Sequence, residues 1–394
     1  MDIAELKDAV VGEVDTRRDE LNELSLKIHA NPELGFKETR AVTWLTQYLA
    51  EHGFSVENGI CRLDTAFLGS YGAGGPQIAL LAEYDALPEL GHACGHNLIA
   101  TAAVGAAVAA RPAVDRWGGR VVVVGTPAEE LYGGKVILAG RGAFADFDVA
   151  MMIHPAPFDV ATIQALACQN LAVEFLGRAA HAAASPELGI NALEAMVQSF
   201  VAINSLRQHV KDKARIHGII TEGGKLPNIV PDRSAGVFML RAEDDAYLDE
   251  LKQKVLNCFV GAATASGARL VYQWEEVRYS AMRNNLTLAR LFQQNMTALG
   301  RRMELTRPES TFFSTDMGNV SQLVPSIHPM VAITAEEIGF HSPQFTEAAA
   351  SAAASRGLLD ATKALAMTVV DLLADSEIMT RIKKEFQGGK QLDE

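Results

Sequence analysis

The chain is poor in cysteine: four residues in 394, at irregular spacing, offer no disulfide framework. It is also short of basic residues. Thirty-five Lys and Arg stand against 48 Asp and Glu, a formal charge of −13, which argues against a nucleic-acid partner. No apolar run reads as long enough to span a bilayer, so no membrane partner is expected. Met1 to Arg18 is acidic and amphipathic, unlike a signal peptide. There is no internal repeat and no low-complexity segment. Gly72-Ala73-Gly74-Gly75 lacks the following Lys-Ser/Thr of a phosphate loop and reads as a turn.

Apolar side chains are plentiful at 48%, enough for a sizeable core and for two domains. Three short apolar runs end in groups that carry chemistry. Gln77 to Ala82 ends at Glu83 and Asp85. Arg120 to Gly125 is followed, after Thr126-Pro127-Ala128, by Glu129-Glu130. Asp148 to Ile153 ends at His154. Such runs predict parallel strands buried on both faces. In open α/β sheets the ligand crevice lies beyond the carboxyl ends of the strands. Cys94 and His96 open the next predicted helix, Asn97 to Ala110, at that same edge. Thiolate, imidazole and carboxylate together are a ligand set for zinc and its neighbours. A core has no use for such a density of ionisable groups.

Helices are also predicted over Glu5 to His29 and Thr39 to Gly53. The style changes after about Gln164. Leu171 to Gly177 alternates like a strand and Asn191 to Gln208 reads as a helix. Ile216 to Glu222 and Ser234 to Ala242 read as strands, Ala246 to Gly267 as a helix, and Arg269 to Val277 as a strand. That order predicts a compact α+β sandwich. The expected organisation is a mostly parallel α/β catalytic domain with helices on both faces, residues 1–167 and 280–394, interrupted by an inserted α+β lid or dimerisation domain, residues 168–279.

Ala82 to Pro88, Gly91 to Asn97, Ser314 to Ser321 and Val324 to Pro329 occur in an order that resembles the di-metal aminoacylase and carboxypeptidase family of metallopeptidases. The branch they most resemble holds p-aminobenzoyl-glutamate hydrolase subunits and β-alanyl dipeptidase-like proteins. The resemblance spans about Ile28 to Ala353. It implies Cys94, His96, Glu130, His154 and His341 as metal ligands and Glu129 as general base. It also implies that His181, in the inserted domain, reaches the active site of a partner subunit. Many members carry His where Glu83 stands and Asp where Asn97 stands; in the Cys-Gly-His branch the first of these is usually not a ligand.

The resemblance thus implies two divalent ions, with zinc foremost and manganese or cobalt as alternatives. A thiolate can bridge two ions, so Cys94 is the expected bridge. Asp85 is expected to orient a ligand. Arg241 and Asn228 suit a substrate carboxylate, Arg offering a two-pronged fork, and Asp316 is a further candidate substrate contact. Whether Glu83, His92 or His328 join the site stays open. The expected function is hydrolysis of an amide bond in a small dipeptide or N-acyl amino acid, by a homodimer. The alternatives are a p-aminobenzoyl-glutamate hydrolase or a non-catalytic metal-binding scaffold. Reduced Cys94 suits a cytoplasmic location.

Overall fold

The computed structural model describes residues 2–307 and 313–388. Two compact units divide the chain. The first holds residues 2–164, 282–307 and 316–388 of those described, and the second residues 165–281 with 313–315. The inserted unit therefore begins three residues before, and ends two residues after, the expected bounds 168 and 279.

In chain order the strands of the first unit are β1 (Ser55–Asn58), β2 (Phe67–Ala73), β3 (Gln77–Glu83), β4 (Gly119–Thr126), β5 (Val149–Met151) and β6 (His154–Ala156). The second unit contributes β7 (Ala167–Leu176), β8 (Arg215–Glu222), β9 (Arg233–Ala242) and β10 (Arg269–Tyr279), and the first closes with β11 (Ser326–Ile327) and β12 (Met330–Ala332). The main sheet runs β1-β2-β4-β3-β5-β11. Its β4-β3, β3-β5 and β5-β11 pairs are parallel, and its β1-β2 and β2-β4 pairs antiparallel. Ile78 to Glu83 and Val121 to Thr126 are buried throughout, as strands covered on both faces must be. A separate parallel pair, β12-β6, carries His154.

Helix His96–Ala109 is buried along its whole length. Its small residues permit close packing: a Cβ on Gly105 would meet Leu21 Cδ2 at 2.8 Å. By length and apolarity the stretch His96–Trp117 would suffice to cross a bilayer, contrary to expectation; 89% of its apolar window is buried inside the fold. The expected helix from Glu5 to His29 is two helices, Ile3–Thr16 and Arg18–His29. Arg17, with φ −93° and ψ 9°, breaks them. The break lets Leu6, Val10 and Val14, and then Leu21, Leu24 and Ile28, all turn inward.

The second unit is an antiparallel sheet, β10-β7-β9-β8, with helices Ala192–Leu206 and Asp245–Ser266. Asn191 and Asp244 cap these helices through their side chains. Along β9, Phe238, Leu240 and Ala242 are buried in a core with Phe175, Leu251 and Phe259. Val237, Met239 and Arg241 alternate onto the other face.

Candidate active site

Three chain segments of the first unit, joined by His154 of β6 and by His341, bring donors to one place. Glu83 closes β3 and Asp85 follows it. Gly95, at φ 77°, lets the chain enter helix His96–Ala109 between Cys94 and His96; a Cβ there would meet Pro155 Cγ at 2.8 Å. After β4 the backbone reverses at Ala128, whose φ of 62° is left-handed, and presents Glu129 and Glu130 as the first residues of a one-turn helix. The Glu38 carboxylate accepts the Ala128 N–H at 2.9 Å and holds this turn.

The ligand atoms of Cys94, His96 and His154 lie within 4.8 Å of one another, and so do those of Cys94, Glu130 and His341. Cys94 is common to both groups. Its Sγ is 3.3 Å from His154 Nε2, and His341 Nε2 is 3.4 Å from Glu130 Oε2. His341 is exposed, at φ 57°. His96 Nδ1 lies 3.0 Å from Asp85 Oδ1 and 2.9 Å from the Asp85 carbonyl, while Asp85 Oδ2 accepts the Glu130 N–H at 3.0 Å. Acceptors on Nδ1 fix a proton there and leave Nε2 to face the other donors; against burial, Glu83 and then Asp85 hold this ring well above the usual imidazole range, so an ion at Nε2 would displace a proton. His154 Nδ1 is likewise engaged, by the Pro155 carbonyl at 2.7 Å.

These residues fit divalent cations. His96 Nε2 and Glu130 Oε1 are buried with no hydrogen-bond partner, a costly state that an ion relieves. Burial, only partly offset by His96, raises the Glu130 carboxyl to about 7. Burial, then Glu83 and Asp316, raise Glu129 well above the carboxylate range. The Cys94 thiol is pushed well up by burial and by Glu130. Burial lowers His154 to about 4, which keeps its ring neutral, the form a ligand needs. A cation among these groups reverses the logic that disfavours their anions.

Sequence reasoning missed Lys135. Its side chain is fully buried, and Nζ pairs with Glu83 and, at 2.8 Å, with Asp316 Oδ1. The Lys135 N–H also donates to Asp316 Oδ2 at 2.8 Å. Asp316, expected to contact substrate, is itself fully buried and held at both oxygens by Lys135. That position makes it an internal counter-ion. His328 is buried beside His154, with ring centroids 5.5 Å apart, and His92 lies near His29 at 6.0 Å. Asn97 is buried too and donates to Ser25 Oγ and the Ala349 carbonyl.

His181, Asn228 and Arg241 belong to the second unit. His181 is exposed, and its Nδ1 accepts the N–H groups of Ala183 and Ala184 at 3.2 and 3.0 Å. Its proton is therefore on Nε2, an outward donor. The backbone carbonyl of Asn228 accepts the Ala182 N–H. Arg241 donates to Ser314 Oγ at 2.7 Å and enters no ion pair among the described residues.

The sequence pattern of peptidase family M20/M25/M40 matches residues 79–356. The chain is 39% identical to the Xaa-Arg dipeptidase of Mus musculus, over 97% of this chain and 92% of that protein. It is 28% identical to one of the p-aminobenzoyl-glutamate hydrolase subunits of Escherichia coli, over 95% of this chain and 93% of that protein. The crystal structure of a dinuclear metal-binding M20 peptidase from Bacillus subtilis superposes with a TM-score of 0.74 at 18% identity, covering 91% of this chain and 99% of that one; at such identity it bears on the fold alone. The chain belongs to peptidase family M20/M25/M40 and is a metal-dependent hydrolase of amide bonds.

Proposed function

We propose that the chain is a two-metal dipeptidase whose substrates are small dipeptides, those with a basic C-terminal residue foremost. The observation that carries this is Cys94, common to two donor groups, with Glu129 immediately before the donor Glu130. The Mus musculus relative, named for Xaa-Arg dipeptides, supplies the substrate class. Cys94, His96 and His154 would hold one ion, and Cys94, Glu130 and His341 the other. Zinc is the first choice for a thiolate site, with manganese or cobalt as alternatives. Ions so held supply a polarised carbonyl and an acidified water.

Glu129 takes the proton of the attacking water and passes it to the leaving nitrogen as the C–N bond breaks. A non-catalytic scaffold has no need of that carboxylate beside the metal donors. His181, through its Nε2–H, stabilises the oxyanion, and Arg241 with Asn228 holds the substrate carboxylate. Features of the second unit support homodimerisation. β8 is the edge strand of its sheet and carries exposed Ile219 and Ile220, and helix Ala192–Leu206 exposes Val197 and Val201. A second copy would cover both. A cytoplasmic location keeps Cys94 reduced.

The second reading, p-aminobenzoyl-glutamate hydrolysis, is favoured by the Escherichia coli relative. One experiment separates the two. The purified protein, loaded in turn with zinc, manganese or cobalt, is offered Xaa-Arg, Xaa-Lys and neutral dipeptides, N-acetyl amino acids and p-aminobenzoyl-glutamate, and amine release is followed. Preference for the basic dipeptides is the expected result. Preference for p-aminobenzoyl-glutamate establishes the second reading, and no release from any substrate overturns both.

A further inference from the structure

The buried ammonium of Lys135 sits next to the metal donors without being one of them. Its carboxylate partner Glu83 has a second oxygen, Oε1, that stands 3.0 Å from His96 Nε2. This contact lacks the alignment of a hydrogen bond, because Nε2 has no hydrogen-bond partner. The ligand atoms of Glu83, His96 and Glu129 also fall within 4.8 Å of one another. Glu83 thus flanks the metal-facing side of His96, and what keeps it there is the pairing of its other oxygen.

That pairing is built deep in the fold. Glu83 is 1% exposed, and Lys135 and Asp316 are both fully buried. Gly134 allows the approach: a Cβ there would lie 1.7 Å from the Pro127 carbonyl oxygen. Only a chain without a side chain at that point can fold Lys135 back beneath the Glu129–Glu130 turn. Asp316, reaching from the start of helix Met317–Leu323, then fixes both the Lys135 backbone N–H and its ammonium. The lysine is gripped on one side and grips Glu83 on the other.

We propose that Glu83 is a further anionic group of the metal centre, flanking the ion on His96, and that Lys135 is the positioning residue that holds it there. The inference rests on the two-metal reading above. A Coulombic role for Lys135 alone predicts the opposite sign, since removing a cation would favour metal binding. A charge-balanced variant separates the two.

The test measures zinc affinity by competition with a fluorescent chelator, together with the melting temperature of the metal-free protein, so it needs no turnover. Lys135→Met/Asp316→Asn removes one positive and one negative charge and leaves Glu83 unanchored. We expect its zinc affinity to fall about 10–100-fold, the usual effect of losing a group that supports a ligand. Affinity within twofold of the parent in a folded variant overturns the positioning role. Should that variant fail to fold, Glu83→Gln leaves the Lys135–Asp316 pair whole. It is expected to lose about tenfold or more in affinity with little change in melting temperature; unchanged affinity overturns the proposal. A parent that binds no zinc, manganese or cobalt at all would instead defeat the two-metal reading itself.

Discussion

Asp85 Oδ1 stands 3.0 Å from His96 Nδ1, on the far side of the ring from the nitrogen that faces the other donors. One carboxylate thereby orients the His96 ring, and with its second oxygen it ties down the Glu130 backbone. Asp85→Ala removes both restraints. We expect zinc affinity to fall about 10–100-fold. Zinc retained after dialysis against graded chelator is the measurement; retention equal to the parent's would show that His96 needs no such support.

The adjacent acids are expected to divide their work. Glu130 groups with Cys94 and His341, and Glu129 with Glu83 and His96 away from Cys94. Glu129→Gln is expected to keep its metal and lose about 10²–10⁴-fold in turnover, as loss of a general base does. Glu130→Gln is expected to lose metal first. Metal content and kcat, measured on both variants, decide the assignment; a Glu129→Gln enzyme as fast as the parent contradicts it.

Metal uptake should depend steeply on pH through Cys94. Burial and then Glu130 raise its thiol well above the ordinary value. Below that raised value the thiol is protonated in the free protein, and a ligand must be a thiolate, so binding expels a proton. Zinc affinity is then expected to rise with pH, by about tenfold per unit for each proton released. Chelator competition at pH 6, 7 and 8 gives the slope. A pH-independent affinity in the parent, or an undiminished slope in Cys94→Ser, removes Cys94 from the site.

Much of this site is legible in the chain because its donors follow apolar strands. The β3 and β4 runs end at Glu83 and Thr126, and their polar followers need only local geometry to meet. Lys135 cannot be read that way. A lysine after Gly133-Gly134 looks like a solvated turn residue, and its partner Asp316 lies 181 residues further along. Such pairing is set by the tertiary fold, and composition carries no trace of it. The role of Asp316 is hidden for the same reason: a carboxylate in a motif does not declare which way it points. The left-handed Ala128 is equally silent, because nothing local favours that conformation in alanine.

Glu38, which holds the Ala128 turn, makes stability depend on pH. Burial, then Asp85, raise its carboxyl from 4.5 to about 7 in the fold. Its folded value lies above its unfolded one, so the folded state binds the extra proton between these limits. The contribution is fully present below about pH 4.5 and is lost as pH rises through about 7, on the order of 3 kcal/mol in total. Glu38→Gln keeps an acceptor for the Ala128 N–H and cannot titrate. Denaturant unfolding of the metal-free proteins at pH 5 and pH 8 tests this. The parent should lose stability relative to the variant between the two; parallel curves would mean that Glu38 is ionised throughout.

His181 carries its proton on Nε2, because Nδ1 is occupied by the Ala183 and Ala184 N–H groups. That makes it a ready donor on an exposed loop, of the kind that can stabilise an oxyanion. If the donor serves the partner's site in a homodimer, two inactive variants should complement. His181→Ala lacks the donor, and Glu129→Gln lacks the base. In a mixed dimer one site would combine Glu129 of the first chain with His181 of the second, and the other site would lack both. At most half the sites can then be competent, and with random exchange half the dimers are mixed, so about a quarter of the parent activity is the ceiling. Subunit exchange is established first, by mass spectrometry of differently tagged chains. Activity that grows with the mixed-dimer fraction is the expected outcome. Exchanged dimers as inactive as either parent would confine His181 to its own chain or exclude it from the reaction.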